Sequence, residues 1–554
     1  MIKYIQLLFI LIFIGGNLAA QNTVGLISYN PTKAFDGYNL VFPHNQPNVY
    51  LLNNCGEIVH RWDDDADFRP GNTAYLYPNG NLVKAKRPSA VAGNPIWAGG
   101  GGAIVEMRDW DNQLLWSFEM NNDSMRLHHD IAPLDNGNVL MIAWKLRTLD
   151  EAIQAGRDTA FAPLTQGEIW EDIIIEVNST GDIVWEWSTW DHLIQDRDAT
   201  KDNFGVVSTS PRRVDINYDA NEGKADWMHG NALDYNEDLK QVMISVPTFN
   251  EFWIIDHTTT TAEAATSSGG DSNRGGDLMY RWGFPAAYGG DSADQKSYYQ
   301  HDVHWVDDYL PPSHPQYGNI AFFNNRVGND FSTANVIIPP WDMYSWEYTL
   351  DSDTYGPADY LKTFTHPIPQ EMYSTGLSSV QLLPNGNTLL CSGRWGYSFE
   401  LTPDDEIVWE YITPRNGVNA ATQGDTLMIN NNLTFRMKRI PTDYEAFNGK
   451  DLTPQGYLEL EPNLDFCPDI IDNVEEISQY DLKIYPNPAS DILTIEWEKG
   501  GKEVGFKVYD LVGRKIEDMT ATGGRKFLDI SHWENGMYIV IINDMELKRV
   551  VVTR

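Results

Sequence analysis

Positive charge is what this chain has least of. Lysine and arginine number 40 against 78 aspartates and glutamates, a formal net charge of −38. Such a chain does not coat nucleic acid or an anionic membrane surface non-specifically. Any anionic substrate has to be drawn into a local positive pocket against the overall field. Cysteine is scarcer still, with only Cys55, Cys391 and Cys467. Their spacing matches no zinc motif, and they permit one disulfide with one thiol left over, the pairing staying open. Helical periodicity is nearly absent outside "LRTLDEAIQAG" at 146–156. A phosphate-binding loop, a nucleophile elbow, a metalloprotease helix and a CxxC pair are all missing. "AGGGGAIV" at 98–105 lacks the strand-and-helix setting of a nucleotide loop and reads as a flexible inter-strand turn. The acid-rich "RWDDDADF" and "MRDWDNQ" lack calcium-loop spacing and read as solvated turns. No metal or organic cofactor is implied.

Long apolar runs are also missing, with one exception at the start. The opening "MIKYIQLLFILIFIGGNLAAQN" has an early lysine, an apolar run from Ile5 to Ile14 and small residues up to Ala20. That is the pattern of a secretory signal peptide over 1–20, and the run is too short to span a bilayer comfortably. After cleavage near Ala20–Gln21 no transmembrane segment is expected.

What the chain does have is apolar content, 42% of its residues with 19 Trp, and two recurring phrases. The first is an Asn-Gly turn leading into a strand: "LYPNGNLV" at 76–83, "PLDNGNVL" at 133–140, "LLPNGNTLL" at 382–390 and, more loosely, "QYGNIAFF" at 316–323. Asn-Gly supplies the positive φ of a tight hairpin. The second is a short alternating strand rich in Trp: "CGEIVHRW", "DNQLLWSF", "GDIVWEWS", "GDLMYRWG" and "DEIVWEYI". Repetition of this kind along 21–470 predicts an all-β chain, a six-bladed β-propeller, with a decorated sandwich as the alternative.

From about Glu475 the text changes to short alternating strands and Gly/Asn/Pro turns. "YPNP" (Tyr485 to Pro488), "VYDLVGRKI" (Val508 to Ile516), "ENGMYIV" (Glu534 to Val540) and "KRVVV" (Lys548 to Val552) stand in order. Residues 475–554 resemble the C-terminal sorting domain of the type IX secretion system of Bacteroidota. The resemblance implies a small β-sandwich that engages that secretion machinery and sends the protein out of the cell or onto its surface.

Strand ends at one face of a propeller converge on a central funnel, so His and Arg residues inside the units are the candidates for chemistry. They are His128 and His129 in "LHHDIAPLDNGN", His229 in "DWMHGNALDYN", His301 and His304 in "YYQHDVHWVDD", Arg326 in "FFNNRVG" and Arg394 in "LLCSGRWGYSFEL". By strand alternation His301 faces the funnel and His304 the blade interior. Trp227, Trp305 and Trp395 flank these residues and are candidates to stack on an aromatic ligand.

Asp226, His229 and Asn231, and then Gln300, His301, Asn324, Asn325 and Arg326, together with residues 25–62 and the "SSVQLLPNGNTLL" blade, resemble phrases of the bacterial aryl-sulfate sulfotransferases. That family transfers a sulfuryl group between phenols through a transiently sulfated histidine. The resemblance implies His301, His229, Arg326 and Arg394 as catalytic residues, with His129, Asn231, Asn325 and Trp227 in substrate binding. It also implies a histidine in the late blade, where this chain carries Arg394; the last earlier histidine, His366 in "FTHPIPQEM", looks like a loop residue. Either His301 or His129 then takes the nucleophile's place, or the funnel binds anionic aromatics or glycans without turnover. A propeller hydrolase or lyase using Asp226 or Asp302 on an acidic polysaccharide is the third reading.

Overall fold

Each Asn-Gly phrase closes a hairpin. In the computed structural model, Gly80, Gly137 and Gly386 take φ of 86°, 86° and 88°. Each turn joins the first two strands of a different sheet. The described residues are 22–90, 94–218, 220–351, 354–467, 483–496, 504–510, 514–542 and 546–553; the expected signal peptide lies outside them. The chain divides into two compact units, Met1–Cys467 and Pro468–Arg554.

The first unit is built from six sheets of four or five strands. Blade 1 runs Thr434–Pro441, Gly37–Pro43, Val49–Leu52 and Ile58–Trp62, so its first strand comes from the far end of the unit. Blade 2 is Phe68–Leu76, Leu82–Pro88, Ile104–Arg108 and Leu114–Glu119; blade 3 is Met125–Pro133, Val139–Thr148, Glu168–Val177 and Ile183–Ser188. Blade 4 is Ala232–Asn236, Gln241–Val246, Glu251–Asp256 and Tyr280–Trp282; blade 5 is His301–Trp305, Ile320–Asn324, Thr333–Ile337 and Lys362–Phe364. Blade 6 is Ser379–Leu382, Thr388–Ser392, Tyr397–Leu401 and Ile407–Ile412, with Gly25–Tyr29 added outside as a fifth strand. The six first strands touch in cyclic order, blade 6 meeting blade 1. Such closure leaves few sheet edges open. The one helical pattern in the sequence appears as the short helix Leu149–Gln154, started by a Thr148–Glu151 capping box.

The five Trp phrases are the fourth strands of blades 1, 2, 3, 4 and 6. Four of their tryptophans bind the neighbouring blade in one repeated way. Trp62 donates its indole N–H to Asp109 O at 3.1 Å, Trp187 to Gly276 O at 2.8 Å, Trp282 to Pro357 O at 2.9 Å and Trp409 to Asn54 O at 2.8 Å. Each acceptor lies just before the next blade's fourth strand. The ring is buried between blades while its only polar atom stays satisfied. A disulfide, Cys55–Cys467, holds the end of the unit to blade 1 and leaves Cys391 as a buried thiol.

Nearer the axis, carboxylates do the joining. Asp130 of blade 3 accepts from Leu233 N of blade 4 at 3.1 Å, Asp234 from Trp305 N of blade 5 at 2.6 Å, and Asp302 from Val380 N of blade 6 at 2.9 Å. Arg436 of blade 1 then bridges Asp130 at 2.8 Å and Asp302 at 2.5 Å.

The second unit has a three-stranded sheet, Lys483–Tyr485, Ile492–Glu496 and Arg525–Asp529, and a four-stranded sheet, Lys515–Ala521, Val504–Asp510, Gly536–Ile542 and Glu546–Val552. Leu493 and Ile495 of one share a core with Phe506, Val508 and Val540 of the other, which makes a sandwich.

Asp302→Ala orphans the Val380 N–H and half-strips the buried Arg436. It should cost the first unit about 3–5 kcal/mol. The check is the urea midpoint of the full chain followed by tryptophan fluorescence; a loss under about 1 kcal/mol, the size of one ordinary hydrogen bond, would refute the latch.

Candidate active site

The first strands all start at one end of the ring, and several are distorted there in a similar manner. Asn72 in blade 2 has φ 109°, His129 in blade 3 has 49°, His229 ahead of blade 4 has 56° and Asp302 in blade 5 has 53°. A non-glycine residue in that region costs about 1–3 kcal/mol and persists where its surroundings over-determine it. In blades 2, 3 and 5 the ladder registers shift at these points, as β-bulges do when they re-aim a side chain.

These conformations bring His129, His229 and His301, from three successive blades, into one cluster. The rings of His129 and His229 are 4.5 Å apart. Phe435 of blade 1 lies 6.3 Å from His129 and 6.2 Å from His301, and Tyr299 lies 6.2 Å from His229 and 6.0 Å from His301. The Arg326 guanidinium stacks 3.5 Å over the Tyr299 ring and is steadied by Thr375 O at 3.0 Å. Arg394 reaches toward the same place: a Cβ on Gly376 would lie 3.3 Å from its terminal nitrogen and 3.7 Å from His301 Cε1. One Arg394 nitrogen bonds Asn430 at 3.1 Å, while its Nε is buried without a partner.

The three imidazoles are not equivalent. Burial drives the His301 pKa down to about 3, although its bond to Asn325 works the other way. His129 is also pushed far down, by burial and then by the neighbouring histidines. His229 goes up: burial opposes its charge, but the Asp226 carboxylate, 2.5 Å from Nδ1, and Asp172 more than offset it.

The tautomer of His301 follows from Asn325. The Asn325 amide nitrogen donates to two carbonyls, Ser374 O at 2.9 Å and Leu377 O at 3.0 Å. Its Oδ1 is therefore the atom 2.8 Å from His301 Nδ1, and an oxygen there requires the proton on Nδ1. His301 Nε2 is left with its lone pair. His129 is tied back through His128, whose Nδ1 is 2.9 Å from His129 Nδ1 and whose Nε2 is 3.2 Å from Asp172. Its own Nε2 is covered by Gly100, where an added Cβ would come within 2.0 Å.

The family model for arylsulfotransferase (ASST) matches residues 45–426. The chain belongs to that family. The model for the secretion system C-terminal sorting domain matches residues 483–553, so this arylsulfotransferase-family protein is secreted or attached to the cell surface. Comparison with curated proteins found no match. Among solved structures, a streptogramin B lyase is 10% identical with a TM-score of 0.34, over 76% of this chain and 96% of its own. Virginiamycin B lyase from Staphylococcus aureus is 10% identical with a TM-score of 0.29, over 72% and 96%. PorZ, a surface component of the type IX secretion system of Porphyromonas gingivalis, is 8% identical with a TM-score of 0.20, over 92% and 80%.

Of the residues expected from the sequence, His129, His229, His301, Arg326 and Arg394 share the pocket of this arylsulfotransferase-family propeller, and Asn325 sets the orientation of His301. Asn231 is fully buried and ties blade 4 to Gln300 O at 2.8 Å, one residue before His301. Trp227 is not in the pocket: it is 1% exposed, packs on Phe249 and donates to Tyr218 O. Trp305 likewise belongs to the core between blades 4 and 5. The alternation rule fails for His304. The bulge sets His301 opposite Phe323 and His304 opposite Ala321, three steps against two, so both fall on one side of the ladder. His304 is buried there, and burial and then Lys438 hold its pKa down. Gly100, Tyr299 and Phe435 were not singled out. The glycine run that reads as a loose turn is in fact the cover of His129, required to lack side chains.

With ¹⁵N-labelled histidine in the full-length protein, His301 should show Nδ1 protonated and Nε2 bare at neutral pH. Asn325→Leu should let the other tautomer appear. An unchanged tautomer in that variant would remove Asn325 from its role.

Proposed function

We propose that the protein moves a sulfuryl group from an aryl sulfate to a phenol by way of a sulfated His301. The observation that carries this reading is the bare Nε2 of His301, held by Asn325 in a pocket that keeps the ring neutral. Neutral imidazole with a fixed lone pair is a competent nucleophile. His129 is the weaker choice because Gly100 covers its Nε2.

The lone pair attacks sulfur as the sulfur–aryloxide bond breaks. His229, whose protonated form is favoured by Asp226, gives its proton to the departing phenolate, leaving sulfo-His301. An acceptor phenol then attacks the same sulfur, and its proton returns to His229. The sum is one aryl sulfate and one phenol exchanged for another pair. Negative charge spreads over the sulfuryl oxygens during both steps, and Arg326 and Arg394 lie where they would stabilise it. The late-blade arginine thus serves as a clamp, with the nucleophile one blade earlier.

Full-length protein with 4-nitrophenyl sulfate should release nitrophenolate only when a phenol is added. His301→Ala should abolish release by at least about a thousandfold, with intact mass showing no sulfuryl adduct. His229→Ala should lose about 10²–10⁴-fold. No release from folded protein across several donors and acceptors would move the reading to a binding propeller.

The pH profile gives an independent check. Activity should fall as pH rises through the raised pKa of His229, above the ordinary histidine value. His301, depressed to about 3, adds a loss on the acid side only as the pH falls toward that value. A profile requiring a group near pH 6.5 to deprotonate would contradict the assignment.

A further inference from the structure

Basic side chains recur at one structural position in four of the six blades, just at or beyond the end of the second strand. Arg326 and Arg394 fill it in blades 5 and 6. His44 and Arg87 fill it in blades 1 and 2, on the next arc of the ring. Most arginines of this acidic chain are paired with carboxylates, as in Arg281–Glu251, Arg439–Glu400 and Arg147–Glu171. Among the described residues, no carboxylate lies within ion-pairing distance of Arg69, Arg87, Arg126, Arg326 or Arg394.

The blade 1–2 arc is built around Trp97. The Arg87 guanidinium lies 5.1 Å from a Trp97 ring centroid and that of Arg126 4.7 Å. Arg126 is 1% exposed, and its Nε is buried with no partner. Arg69 sits opposite Arg87 in the ladder, so like charges face each other there. His44 connects this arc to the sulfuryl site: burial and the charges of Arg87 and Arg394 together push it down to about 4, and it adds to the field on His129. Its Nε2 is also buried and unpartnered. Trp97 in turn packs under Gly101, beside the glycine that covers His129.

Like charges assembled without counter-charges, around unmatched N–H groups, favour an anion more than any other ligand. The geometry points to a second anion subsite, formed by Arg87, Arg126 and His44, that holds a second sulfate or carboxylate on an aromatic donor while its first sulfate lies between Arg326, Arg394 and His301. This rests on the sulfuryl-transfer reading and narrows the substrate to aromatic dianions.

The test compares benzenesulfonate with benzene-1,3-disulfonate, which the protein does not turn over, by calorimetry on the full-length protein. The dianion should bind about tenfold more tightly, the worth of one added charge-assisted contact. Arg87→Gln, on a half-exposed strand end, should bring the dianion down to the monoanion's affinity, while Arg87→Lys should keep part of the difference. Equal affinities in the unaltered protein, or a preference that survives Arg87→Gln, would overturn the subsite. Nitrophenolate release from 4-nitrophenyl sulfate is read separately on the same samples, so a failed transfer reaction and a failed subsite give different results.

Discussion

The site depends on one residue that touches no expected substrate position. Asp302 sits at φ 53°, and that conformation lets His301 point into the mouth. Its carboxylate takes the Val380 N–H of blade 6 and the Arg436 guanidinium of blade 1. The backbone strain that aims His301 and the contacts that offset it therefore belong to the same residue. Asp130 repeats the arrangement next to His129, with bonds to Leu233 N, Tyr75 and Arg436. Arg436 binds both carboxylates, so the two bulges are held against each other across the axis. Removing one partner would leave a buried charge uncompensated, which makes the arrangement stiff rather than adaptable.

The architecture was legible because its signals are local. A hairpin needs a residue tolerant of positive φ, and a half-buried strand needs alternation; both fit within eight residues of text. The Trp phrases were read simply as strands; the structure makes each a fourth strand, where a large ring fits between blades. The site was legible only where its residues sit beside a recognisable phrase. His229, His301, Asn325 and Arg326 were singled out that way and lie close together, whereas Trp227, singled out by the same adjacency, lies in the core. Alternation assigned His304 to the wrong side because one bulged residue reverses every face beyond it. Gly100 carried no signal at all. Its importance comes from a ring contributed by the following blade, and no window of sequence contains both.

Charge is distributed along the axis as well as in total. The mouth gathers arginines that have no carboxylate partners. At the opposite ends of the first strands stand Asp234, Asp307 and Asp308, with Lys438 the cation among them. Burial, and then the neighbouring carboxylates, push the Asp234 and Asp307 pKa values up. Between the two ends, the Arg436 bridge and its aspartates fill the channel. A protein of net charge −38 can thus present a positive mouth, because interactions beyond about 8–10 Å are largely screened at physiological salt.

That local field also explains why the pKa values of two neighbouring histidines move in opposite directions. Both are buried, and burial alone would neutralise both. His229 has a carboxylate on its Nδ1, so a proton there gains a counter-charge at 2.5 Å. His301 has an amide oxygen on its Nδ1, which accepts one hydrogen bond but offers no charge. It also faces the positive His229 and Arg326, which further penalise a second proton. The difference between the two rings therefore comes down to Asp226 against Asn325. Exchanging oxygen for nitrogen at one of these positions, or the reverse at the other, changes which ring carries the proton. Under the proposed sulfuryl transfer the arginines could hold a sulfate in either case, but the reaction needs this pairing, which favours a lone pair on one ring and a proton on the other.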